Sequence, residues 1–291
     1  MSIGRTAASA LLSSALLAMA CNEGPRPTPT GASGISSPGP LGGVSEPTGF
    51  IDLSREAYSL PSGIACQDRS IWVSNYVNGG NGPGARIIYR YDLETGRSTG
   101  SIPSPSDWTT CLGFDGTALL AIDYTDSVRL FRLSPETGAV LSSFAIPWSG
   151  SYSGIAWDGA HFFVADYVVT GDGPSTRISE YSASGEPSGV IYARSGSWNS
   201  GSTPGVLGTI RGLTYRDGAL WALVSPGSAG APYRLLSLSV EGAELSSAEL
   251  SGSAGRDLNY LGWNGTFWTI ELLPMSIADF AQGKRLVPFQ Q

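Results

Sequence analysis

One motif recurs along this chain and limits what it can fold into: Gly154-Ile155-Ala156-Trp157-Asp158-Gly159, followed by an apolar run that ends in Asp166-Tyr167. Related openings stand at Ser62-Gly63-Ile64-Ala65, Cys111-Leu112-Gly113-Phe114-Asp115-Gly116, Arg211-Gly212-Leu213-Thr214-Tyr215 and Asn259-Tyr260-Leu261-Gly262-Trp263-Asn264-Gly265. Self-similarity at a spacing of roughly 40–60 residues marks radial repetition. After each opening comes a second short run, Ser70 to Asn75, Ala118 to Asp123, Phe162 to Asp166, Leu220 to Val224 and Phe267 to Glu271. These runs are β-branched or aromatic and bounded by turn residues, as strands buried on both faces are. Asp-Gly and Asn-Gly between the first two runs suit tight hairpins, because Gly supplies the positive φ that such turns need.

Third and fourth runs complete the first four units, for example Arg86 to Asp92 and Ser98 to Pro103 around Glu94-Thr95-Gly96. The fifth unit stops at its third, Lys284 to Phe289, while an orphan run, Ile51 to Leu60, precedes the first unit. The economical reading is an all-β, five-bladed β-propeller in which the N-terminal strand 51–60 completes the last blade, closing the ring and removing two sheet edges. A six-bladed ring is the alternative. Its extra blade would have to come from the Ser/Gly-rich stretch 195–209, which is too short and polar.

The N-terminal region reads differently. Arg5 begins a short apolar stretch, Ala7 to Leu17, and Ala18-Met19-Ala20 precedes Cys21. Residues 1–20 resemble a bacterial lipoprotein signal, with Ala18 where Leu is commonest. The resemblance implies that Cys21 becomes the lipidated first residue of the mature protein; ordinary secretory cleavage is the alternative. Residues 21–47 are dominated by Pro, Gly, Ser and Thr, too polar to offset their own ordering entropy, and read as a tether to a propeller domain at 48–291. The expected location is therefore the extracytoplasmic side of a bacterial envelope, the outer membrane by preference, with the membrane contacted only through lipid. A net charge of −7 with one lysine, Lys284, argues against nucleic acid as a partner. A monomer is expected.

In a propeller the ends of second strands and the starts of first strands share one rim. That rim collects Asn75, Tyr76, Asp123, Tyr124, Asp166, Tyr167, Arg211, Asn259 and Glu271, and Trp148 lies in a fourth-to-first connection above it, as do Trp108 and Trp198. Two readings of the acids stand side by side. Asp123, Asp166 and Glu271 converging on an axis would suit a hard divalent cation such as calcium, although no cofactor is required. Alternatively each acid pairs locally, as Asp166 could with Arg177 across its hairpin. The rim aromatics suit stacking on a glycan or holding a peptide or protein segment. Trp72, Trp157, Trp221, Trp263 and Trp268 sit inside strand patterns and read as core. The single histidine, His161, falls in a first hairpin on the other rim as a solvated turn residue, so no His-based relay or zinc site is expected at the predicted rim. Cys66 and Cys111 lie near the first strands of adjacent blades, and export would permit a disulfide between them.

The Gly-Ile-Ala-Trp-Asp-Gly repeat with Phe163-Val164-Ala165-Asp166-Tyr167 resembles the propeller repeats of bacterial surface proteins and, more distantly, those of the glutamine cyclotransferase family. That resemblance lies in blade-forming positions over about 62–271. It implies a five-bladed ring and, as an alternative to a binding or interaction module, conversion of N-terminal glutamine to pyroglutamate by an acidic residue flanked by tryptophans. Glu271 is the rim's only glutamate, but Leu272-Leu273 follows it in place of Gly-rich surroundings. A metal-dependent hydrolase or lactonase is the other enzymatic alternative.

Overall fold

A computed structural model describes residues 49–53, 60–76, 86–106, 108–124, 127–147, 151–170, 173–195, 208–226, 230–273 and 283–289. Cys21, the signal and tether segments, Trp148 and Trp198 lie outside the described residues. Within them every regular element is a strand, and the strands form five four-stranded antiparallel sheets. After β1 (Ile51–Asp52), blade one holds β2 (Leu60–Gln67), β3 (Ser70–Tyr76), β4 (Ile87–Asp92) and β5 (Arg97–Pro103). Blade two holds β6 (Thr109–Phe114), β7 (Leu119–Asp123), β8 (Arg129–Leu133) and β9 (Val140–Ala145). Blade three holds β10 (Ser151–Trp157), β11 (His161–Thr170), β12 (Gly173–Ser182) and β13 (Pro187–Ser195). Blade four holds β14 (Ile210–Arg216), β15 (Ala219–Val224), β16 (Arg234–Leu238) and β17 (Glu244–Glu249), and blade five β18 (Asp257–Trp263), β19 (Phe267–Leu272) and β20 (Lys284–Phe289).

The fifth sheet runs β1-β20-β19-β18, so the N-terminal strand does complete the last blade. Ile51 pairs with Leu286 and Asp52 with Arg285. The closing strand is shorter than the expected 51–60. Residues 54–59 lie outside the described set, and Leu60 belongs to blade one, opposite Tyr76.

Why the ring closes can be read from its packing. Five apolar clusters fill the five junctions between blades, because the alternating side chains of each sheet face one neighbour or the other. Blades two and three share Leu120, Ile122, Phe162 and Val164. Blades four and five share Trp221, Leu235, Leu258 and Phe267. The closing junction brings Ile51, Leu53 and Ile270 against Ile64, Val73 and Tyr89. At the axis the innermost strands approach so closely that the repeat's glycine is required: a Cβ on Gly154 would lie 2.4 Å from the Leu213 backbone nitrogen, and one on Gly212 2.3 Å from that of Leu261. The tryptophans read as core are so placed, with Trp72 and Trp221 buried and Trp157, Trp263 and Trp268 packed against junction clusters.

The Asp of Trp-Asp-Gly belongs to the hairpin. Asp158 Oδ1 accepts the N–H groups of Ala160 and His161, and Gly159 takes φ 103°. His161 is a correction to the solvated reading: it is half-buried, its Nδ1 3.5 Å from Asp158 Oδ2 and 3.7 Å from Glu180 Oε1.

Candidate functional site at the channel mouth

Every innermost strand carries an irregularity at the same end. The register slips between Pro61 and Gly63, Thr109 and Cys111, Tyr152 and Gly154, Ile210 and Gly212, and Asn259 and Gly262. An extra residue in one strand re-aims a side chain, so the fold turns Ser62, Thr110, Ser153, Arg211 and the Asn259-Tyr260 segment at one mouth of the channel. The blades are stitched together there. Ser62 donates to the Thr109 carbonyl, Tyr124 accepts from the Tyr152 N–H, Thr176 from that of Ile210, and Tyr233 from that of Leu258. Each bond satisfies backbone that the interrupted ladder leaves open.

The second strands bring Asn75, Asp123, Asp166 and Glu271 to equivalent buried positions below this mouth. Each acid has local partners. Asp166 receives a two-pronged grip from Arg177, Nε at 3.0 Å and Nη2 at 2.6 Å. Glu271 is held by both Arg256 (2.8 and 2.7 Å) and Arg285 (2.5 Å). Burial pushes the Glu271 carboxyl up, but the hydrogen bonds and charges of the two arginines outweigh it and hold the group below the ordinary glutamate range. Asp123 accepts from Ser106 and, at 3.2 Å, from Thr109. Its register partner Arg129 bonds Ser143 instead. Asn75 accepts the Leu60 N–H at 3.1 Å. The local-pairing reading therefore describes Asp166 and Glu271, and among the described residues no group of three or more His, Cys, Asp or Glu side chains gathers where a metal could sit.

The aromatics separate into straps and surfaces. Tyr124 uses its hydroxyl on Tyr152, and its ring packs 5.5 Å from the Tyr152 ring. Trp108, by contrast, is 41% exposed and meets Tyr76 edge to face at 5.7 Å. Its backbone N–H donates to Ser106 Oγ, the hydroxyl that in turn donates to Asp123. A predicted ligand acid thus anchors the connection that presents an exposed tryptophan. Tyr167 is half-buried opposite Ser151 and Thr176.

Sequence reasoning missed Tyr260. It stands where blades one, three and four have Gly63, Gly154 and Gly212, and it adopts φ 65°, a left-handed conformation rare for a bulky residue. Its phenol interacts electrostatically with Cys111 and Tyr124 of blade two, Arg211 of blade four and Asp257 of its own blade. Blades two and five are not neighbours in the ring, so the phenol's electrostatic surroundings extend across the channel. Burial, with the neighbouring Cys111, pushes the phenol well above the ordinary tyrosine range. The signal was a large residue at the repeat's glycine position. Asn259 turns aside to donate to Asp257 at 2.9 Å.

Toward the other mouth lies a cavity of about 80 Å³, lined by the Ile-Ala-Trp step of every repeat: Ile64 to Cys66, Leu112 to Phe114, Ile155 to Trp157, Leu213 to Tyr215 and Leu261 to Trp263. Cys66 and Cys111 are free thiols rather than a disulfide. The out-of-step register explains it: Cys66 sits against the Gly262 position of blade five, whereas Cys111 backs onto Gly63 of blade one. Burial pushes the Cys111 thiol up to about 12 and raises that of Cys66 as well.

No protein-family model matches the sequence, and no curated protein matches it. Among solved structures 1069 chains match, and a likeness of this kind shows the fold rather than the function. One of them is a glutaminyl cyclase of Myxococcus xanthus, with a TM-score of 0.52 and 14% identity, covering 86% of this chain and 98% of that one.

Proposed function

We propose that this protein is a binding module: a β-propeller tethered through residues 21–47 to lipid on Cys21 at the extracytoplasmic face of a bacterial envelope, presenting its channel mouth to a glycan or peptide. The observation that carries the reading is Trp108, solvent-exposed, set edge-on against Tyr76 and fixed through Ser106 to buried Asp123. A flat aromatic surface held by a rigid polar network is what ring stacking asks for, since little side-chain freedom is lost on binding. Glycan and peptide arrays probed with the full chain and with Trp108→Ala test it. The expected result is a ligand whose affinity falls about tenfold or more in the variant, in line with loss of an aromatic anchor. Equal binding by both proteins would remove Trp108 from the site and the reading with it.

A second reading, cyclisation of N-terminal glutamine, is favoured by the likeness to a glutaminyl cyclase over nearly all of that enzyme's length. It needs a carboxyl able to exchange a proton, and the two arginines that hold the Glu271 carboxyl below the ordinary glutamate range oppose that role for the rim's glutamate. Ammonia release from a glutaminyl peptide is the direct assay. Turnover above an uncatalysed control would displace the binding reading.

A further inference from the structure

The geometry points to a carboxylate subsite at the channel mouth, formed by the Arg211 guanidinium and the Tyr260 hydroxyl. It deepens the binding reading and rests on it. Arg211 is the extra residue of the blade-four bulge, exposed between buried Ile210 and Gly212. Because β15 covers one edge of β14, a side chain turned out at this end faces the mouth. Other arginines at the rim have partners: Arg177 holds Asp166, Arg256 and Arg285 hold Glu271, Arg129 bonds Ser143 and Arg234 bonds Ser247. Arg211 has no carboxylate within ion-pair reach among the described residues, and its charge is felt instead by the phenols of Tyr233 and Tyr260.

The surrounding polar groups are otherwise engaged. Asp257 accepts from Asn259, Tyr233 from the Leu258 N–H and Tyr124 from the Tyr152 N–H. The Tyr260 hydroxyl has no hydrogen-bond partner among the described residues, and the phenol stays protonated, a donor ready for an anion. Its φ of 65° is backbone strain of the kind held at ligand sites, since blades one, three and four place glycine at this position. Arg211 and Tyr260 stand on adjoining bulges, a Cβ at Gly212 falling 2.4 Å from the Tyr260 carbonyl carbon, and a guanidinium and a phenol so placed supply donors that a planar carboxylate accepts through two oxygens. A singly charged group fits better than a polyanion, because the chain carries −7 overall and Asp257 stands beside the site.

Titration calorimetry with the full chain tests the subsite, using two carboxylate sources and their neutral counterparts: galacturonate against its methyl ester, and a dipeptide against its C-terminal amide. The free acid of one source should bind about tenfold or more tightly than its neutral form, and Arg211→Gln should abolish that preference, with Arg211→Lys intermediate. Tyr260→Phe, which keeps the ring and the fold, should weaken the acid severalfold with an unchanged melting temperature. Whichever acid binds identifies the ligand as a sugar acid or a peptide terminus. Equal binding of acid and neutral forms, or an Arg211→Gln protein that binds as the parent does, would overturn the subsite. If Trp108→Ala still loses a ligand while Arg211→Gln does not, the subsite fails and the binding reading stands.

Discussion

Blade four and blade five end their second strands at the same height in the ring with opposite chemistry. Blade five places Glu271 there, opposite Arg285, and Arg256 joins from the connection before β18. Blade four places buried Val224 opposite Arg234, and the arginine, which has Glu249 as its partner on the other side, bonds Ser247. Its neighbour Arg211 is left facing the mouth without a counter-ion among the described residues. In a repeat protein the shared scaffold holds the backbone nearly constant, so this difference isolates one variable. In blade five the acid closes the rim into an electrostatic knot; in blade four a valine stands in its place, and Arg234 and Arg211 make no ion pair among the described residues.

The largest test breaks the knot. Glu271→Ala strands two partly buried guanidinium groups, and the cost expected is about 3 kcal/mol, at the low end for a broken buried pair because both arginines keep some solvent. Urea unfolding measures it, and a loss under about 1 kcal/mol would mean that the arginines find water as good a partner. A pH series adds a sign. The native carboxyl titrates below the ordinary value of 4.5, so its stabilisation is complete above that value and disappears as pH falls through the depressed native pKa. The variant should therefore lose less stability than the parent between pH 4.5 and the acid limit.

How much of this was legible in the sequence divides along the same line. The blades were, because Gly-Ile-Ala-Trp-Asp-Gly encodes a local hairpin and a steric gap at the axis, and both depend on residue type alone. The cross-strand grip of Arg177 on Asp166 was legible too, since antiparallel register places them opposite. Arg256 was not. It reaches Glu271 from outside any strand, and no period points to it. Nor could spacing show that Tyr124 is a strap while Trp108 is a surface, because both are rim aromatics and the difference lies in which backbone N–H happens to be open. Tyr260 was visible as a broken repeat, but its left-handed backbone follows from where blade five places its bulge.

A second test sharpens the contrast by writing the acid into blade four. Val224→Asp puts a carboxylate opposite Arg234 in the register that Asp166 and Arg177 share. If the arginine leaves Ser247 to pair with it, the substitution should cost far less than burying a lone acid. The double-mutant cycle with Arg234→Ala should then show a coupling of about 2 kcal/mol. Additive losses would show that blade four cannot host the pair, and that its valine reflects geometry.

The smallest effect concerns blade two, where the arginine opposite the acid is turned to a serine. Asp123 is wholly buried, yet Arg129 bonds Ser143, and hydroxyls from Ser106 and Thr109 stand in. A hydroxyl pair gives direction, and here the direction passes on to the Trp108 N–H through Ser106 Oγ. Ser106→Ala removes one bond to an ion while Thr109 keeps another, so about 1 kcal/mol of stability should be lost. Ligand affinity should fall by more than that stability loss explains, because the tryptophan is no longer oriented. Thr109→Val is the control: it also deprives Asp123 of a hydroxyl but keeps the Ser106 bond to the Trp108 N–H. Were both variants to lose the same affinity, Asp123 would be acting on the ligand itself, and blade two would belong with the recognition surface rather than with the framework that aims it.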